Sequence, residues 1–102
     1  MYALIDTPNQ IVNIESLTNS AQTVFAAGAK VRIGHIVCAG GAAAEIVIFR
    51  AIADTPVYMQ VNVPIGDTVV VPGWVVGTGG LEVITASAAG DVNVAVFYRV
   101  MV

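Results

Sequence analysis

Val57-Tyr58-Met59-Gln60-Val61-Asn62-Val63 alternates in type over seven residues. Val57, Met59, Val61 and Val63 fall on one side of an extended chain, and Tyr58, Gln60 and Asn62 on the other. Successive side chains of a strand point to opposite faces, so this stretch reads as a strand with one face buried and one face wet.

The same period runs outward in both directions. Val92, Val94, Val96, Tyr98 and Val100 alternate with Asn93, Ala95, Phe97, Arg99 and Met101. Ala44, Ile46, Ile48 and Arg50 alternate with Glu45, Val47, Phe49 and Ala51, so both faces of that strand are apolar. Val31, Ile33, His35 and Val37 alternate with Lys30, Arg32, Gly34, Ile36 and Cys38. Further strands are expected at 68–71, at 81–86, near 22–26 and around 10–14. Leu17, Ala21, Val24 and Phe25 also sit at helical spacing behind Ser16, a possible cap. Thr18, Asn19, Ser20 and Thr23 are poor helix formers, and they favour a loop that leads into a strand. Turn residues separate the runs, among them Gly40-Gly41, Pro64-Ile65-Gly66-Asp67, Pro72-Gly73 and Gly77-Thr78-Gly79-Gly80. Short strands punctuated at this spacing imply an all-β fold: one antiparallel β-sandwich, jelly-roll-like, over residues 20–102. Residues 1–19 are expected to form an N-terminal arm or a first strand.

The chain has 102 residues, enough for one domain. Hydrophobic residues make up 57% and charged residues 11%, where an ordinary soluble domain is roughly a quarter charged. Such a composition excludes disorder. Four Lys and Arg against seven Asp and Glu give a net charge of −3, which argues against nucleic acid and anionic lipid as partners. No membrane span is expected, because the apolar stretch 68–81 is broken by Pro72 and four glycines, and the stretch 36–53 by Glu45 and Arg50. No secretory signal is apparent at the N-terminus, so assembly in a cytoplasm is expected. A small domain this apolar leaves apolar area outside its core, and such area marks partner surfaces. A homo-oligomer, possibly a trimer, or docking on a larger assembly is expected. The two-sided apolar strands place the subunit contacts at Phe49, Val47, Phe97 and Met101.

The reactive inventory is thin. His35 and Cys38 are the only residues of their kinds and lie three apart on one strand, so they face opposite ways and make no nucleophilic pair. The carboxylates Asp6, Asp54, Asp67 and Asp91 lie in or beside turn signals, where Asp bonds its own backbone. Gly77-Thr78-Gly79-Gly80 lacks the Lys-Ser/Thr of a phosphate-binding loop. Ser87 has no Gly-x-Ser-x-Gly context. No catalytic residue, metal or cofactor is expected, and no enzyme. Trp74, after Pro72-Gly73, either caps its own core or, with Tyr58, presents a ring to a partner.

In order, Ser20–Ala27, Lys30–Val37, Gly40–Arg50, Val63–Thr68, Pro72-Gly73-Trp74, Gly80–Ser87 and Val94–Arg99 form a pattern of turns and strands. That pattern resembles small β-sandwich structural proteins of tailed bacteriophages, above all of podoviruses of marine cyanobacteria. The likeness covers about residues 20–100 and carries over no catalytic residue. It implies a virion protein, partnered by its own copies and by the major capsid protein or other virion proteins, that decorates or stabilises a capsid. A ring or valve accessory at the tail or portal is the alternative, and a glycan-binding module that uses Trp74 and Tyr58 is the alternative from another class.

Overall fold

The computed structural model describes residues 9–28, 30–52, 56–87 and 91–101. Among the described residues lie nine strands and no helix: β1 (Gln10–Leu17), β2 (Gln22–Phe25), β3 (Val31–Ala39), β4 (Glu45–Arg50), β5 (Val57–Val63), β6 (Thr68–Pro72), β7 (Val75–Val76), β8 (Leu81–Thr85) and β9 (Val92–Val100). A four-stranded sheet has the order β2-β8-β4-β5. A five-stranded sheet has the order β1-β9-β3-β6, with β7 following β6 along the same edge of β3.

The pairings explain the topology. β1 pairs β9, β2 pairs β8, β3 pairs β6 and β7, and β4 pairs β5, all antiparallel. That is one long nested hairpin with β4–β5 at its tip. Rolling it up adds two seams, β3 to β9 and β4 to β8, and closes the ribbon into a sandwich. The fold is therefore an antiparallel β-sandwich of jelly-roll order. The stretch that sat at helical spacing holds β2, and the early strand runs to Leu17. Residues 10–17 of the N-terminal segment are thus a first strand, and 1–8 lie outside the described residues.

One core lies between the sheets. Val31, Ile33, Ile36 and Cys38 enter it from β3, Val92, Val94 and Val96 from β9, and Val47 and Phe49 from β4. The expected alternation of β3 is corrected here. Val31 and Ile33 point inward, but so do Ile36 and Cys38, while His35 and Val37 point outward. Gly34 is the extra residue. Ile33 pairs with Tyr98 and His35 with Phe97, so β3 carries one residue that β9 does not match. Such a bulge flips every side chain beyond it.

The edge strand on the other side makes the same break. The Gly73 N–H donates to the Gly34 carbonyl, and the Ile33 N–H to the Trp74 carbonyl. A Cβ on Gly73 would lie 2.0 Å from the Ile33 carbonyl oxygen. Only glycine fits between these two backbones. A second bulge, at Ser16 (φ 52), returns Leu17 to the core. Left-handed geometry is unfavourable for serine, and the Ser16 N–H gains a bond to the Asn93 side-chain carbonyl at 2.9 Å.

Gly73→Ala is expected to destabilise the domain by about 3 kcal/mol, as overpacking against backbone does. Thermal unfolding should show a midpoint at least roughly 10 °C lower; an unchanged midpoint contradicts the close approach.

Candidate functional site

The Gly34 bulge turns His35 to the outside of the five-stranded sheet, where its imidazole stacks on Phe97. The ring centroids are 4.4 Å apart and the planes are 16° from parallel. The registers place Ile11, Phe97, His35 and Pro72 in one row across β1, β9, β3 and β6. The next row is Asn13, Ala95, Val37 and Val70. At one end Arg99 faces Arg32, which faces Val75. The face is largely apolar: Ile11 (53% exposed), Val70 (62%) and Val75 (50%) stand open on its edge strands, and Phe97, Ala95, His35 and Val37 are half-buried at its centre. The small side chains of Ala39 and Ala95 leave a shallow depression of about 180 Å³, rimmed by Asn13 and Asn93.

The outer face of the four-stranded sheet differs. Arg50 and Glu82 sit opposite each other on β4 and β8, and the Arg50 Nε donates to the Glu82 carboxylate at 2.6 Å. Ile46, Ile48 and Ile84 lie beside this pair, and Gln60 and Asn62 stand at the β5 edge. A groove of about 460 Å³ opens at the end of the sheet between Ala44, Ile46, Pro64 and Ala86. Beside it the buried Glu45 carboxylate accepts a hydrogen bond from the Ser87 hydroxyl.

The sequence-based contact residues divide. Phe49 and Val47 are wholly buried in the sandwich. They belong to its core and not to a subunit contact, which corrects that expectation. β4 presents Ile46 and Ile48 outward in their place. Phe97 lies half-buried on the outer face. Met101 is half-buried just beyond β9, and its N–H donates to the Lys30 carbonyl at 2.9 Å.

Trp74 and Tyr58 come together with ring centroids 6.1 Å apart. Trp74 also meets Phe49 edge-on at 6.2 Å and packs against the core. The Tyr58 hydroxyl donates to the Gly80 carbonyl at 3.4 Å. The two rings close the open side between β5 and the β6–β7 edge. The indole N–H is buried without an oxygen or nitrogen acceptor, and the rings of Phe49 and Tyr58 are its aromatic neighbours.

His35 points outward and Cys38 inward, so the structure does not bring them together. Burial pushes the Cys38 thiol up from 9.0 to about 11, because a thiolate loses its hydration there. Among the described residues no three His, Cys, Asp or Glu side chains gather where a metal ion could sit. Asp6 and Asp54 lie outside the described residues. Sequence reasoning missed Ile11, Val70 and Val75 as surface residues. Their β-branched chains look like core until pairing assigns them a face, and the one available signal was the glycine inside β3.

No family model matches the chain, and comparison with curated proteins returns no match.

Two measurements check these assignments. Phe49→Ala is expected to cost about 3–5 kcal/mol of stability, and Phe97→Ala about 1 kcal/mol or less; chemical denaturation separates them, and equal losses contradict the placement. Cys38 is expected to react with a thiol reagent at pH 8 at least ~100-fold more slowly in the folded protein than in denaturant. The raised thiol also sets a sign. Its contribution to stability is complete below pH 9 and falls as pH climbs towards 11, since only the unfolded chain ionises there. Cys38→Ala should remove that part of the alkaline loss.

Proposed function

We propose that the protein is a virion structural component of a tailed bacteriophage, without catalytic activity, that works as a homo-oligomer on the capsid surface. One observation carries the oligomeric, partner-covered part of the reading: the largely apolar outer face of the five-stranded sheet, with the stacked Phe97 and His35 at its centre and Ile11, Val37 and Val70 around them. Antiparallel sheets ordinarily keep such a face wet and polar. An apolar patch of this kind on a small domain loses free energy to water until a partner covers it. Jelly rolls occur in viral capsid and lectin domains; this analogy supports the reading and does not by itself carry it. The phage assignment itself comes from the resemblance read in the turn-and-strand pattern of residues 20–100. Binding only to the assembled shell, such a protein stabilises it by mass action.

The packing of Trp74 against Phe49, with its indole nitrogen buried, speaks against the glycan-binding alternative. A ring accessory at the tail or portal would use the same face, and copy number distinguishes it. Quantitative mass spectrometry of purified particles is expected to find on the order of hundreds of copies per particle, as shell symmetry requires. About six or twelve copies would indicate a ring. Absence from purified particles overturns the reading.

A further inference from the structure

We propose that two copies of this chain join through their β5 strands, edge to edge, about a two-fold axis at Val61. This rests on the homo-oligomeric reading above and names a contact for it, on the opposite sheet from the apolar face.

The argument starts from the backbone. β5 ends the four-stranded sheet and pairs only with β4 among the described residues. The Ala86 N–H donates to the Ile46 carbonyl on the β8 side of β4, and the Ala51 N–H to the Pro56 carbonyl on the β5 side. N–H and C=O of one strand residue point the same way, and neighbours alternate. Glu45, Val47 and Phe49 therefore direct their backbone groups at β5, where they pair with Val63, Val61 and Met59. The backbone groups of Gln60 and Asn62 are left pointing out of the sheet edge.

The other edges are blunted. β1 carries Glu15 and the Ser16 bulge. β2 has four residues. β6 ends at Pro72 and the Gly73 break. β5 also has a bulge, at Tyr58, but Met59–Val63 runs without irregularity, charge or proline. An open, uncharged edge of this kind is a template for another strand.

A second copy is the occupant because the edge complements itself. With Val61 opposite Val61 of the other copy, Gln60 faces Asn62 and Asn62 faces Gln60. Each of these pairs exchanges two backbone hydrogen bonds. Their side chains, both amides and both on the outer face, meet as donor and acceptor. On the inner face Met59 meets Val63. No like charges oppose, and the two-fold makes the contact isologous and closed.

Sedimentation or light scattering at tens of micromolar is expected to give twice 10.5 kDa or a multiple of it. Gln60→Lys with Asn62→Lys puts like charges opposite each other, at exposed positions that folding tolerates. This variant should weaken association at least tenfold, and so should Gln60→Glu with Asn62→Glu. An equal mixture of the two variants should associate again. Independently, amide exchange at Gln60 and Asn62 in the unmodified chain should slow at least tenfold between dilute and concentrated protein. A chain that stays monomeric overturns the proposal. So does association that both variants leave unchanged, which leaves the homo-oligomeric reading standing on another surface. Absence from purified particles, with β5 association intact, overturns only the virion reading.

Discussion

The approach of Gly73 to the Ile33 carbonyl is the constraint from which the working surfaces follow. At that level β3 and the β6–β7 edge each hold one residue outside the alternation. The two breaks match each other, so the edge keeps its register with β3, and the mismatch shows only against β9. Above the break Ile33 and Val31 fill the core; below it Ile36 and Cys38 do. His35 is turned outward onto Phe97, and Trp74 is turned inward over Phe49. A side chain at position 73 would have to push one backbone off the other, which would uncover Phe49 and disturb both faces at once.

The period of β5 was legible from Met59 to Val63 because its two faces differ in polarity, and the structure keeps Val61 and Val63 in and Gln60 and Asn62 out; the bulge at Tyr58 breaks the expected alternation before that and leaves Val57 exposed. β4 offered no such difference. Ile46 and Ile48 are as apolar as Val47 and Phe49, and local pattern cannot choose between them. The choice is made across strands: Arg50 shares a face with Ile46 and Ile48, and its partner Glu82 lies on β8. Glu45 stands on the inward parity because it sits at the end of the sandwich, where Ser87 reaches it. Pairings 32 and 42 residues apart in sequence thus decide the face of a six-residue strand. β3 misled for the opposite reason. Its pattern read well in either frame, and a glycine inside it was the sole mark of the slip. Trp74 and Tyr58, expected as candidates for a partner contact, meet each other, and their contact closes the sandwich.

The apolar excess of the composition has a definite distribution. The inner faces take Val92, Val94 and Val96 of β9 and Val31, Ile33 and Ile36 of β3, with Phe49, Leu17 and Leu81. The surplus is uneven between the two outer faces. The four-stranded sheet interrupts its isoleucines with the Arg50–Glu82 pair and ends in two amides. The five-stranded sheet has an apolar centre, with its charges at the margins. Two surfaces of different chemistry suit two different neighbours.

The two contacts proposed above would rest on different physics. An edge contact depends on main-chain hydrogen bonds, directional and of modest net worth, and its register is set by the side chains that meet across it. A face contact depends on buried apolar area, which is stronger but non-directional. Under the proposed virion role, the first would fix the angle between copies in a symmetric shell, and the second would supply most of the free energy of attachment. A jelly roll provides both from one nested hairpin. Rolling it buries the inner faces, leaves the tip strand β5 at an edge, and sets the first and last strands, β1 and β9, side by side within the open apolar face.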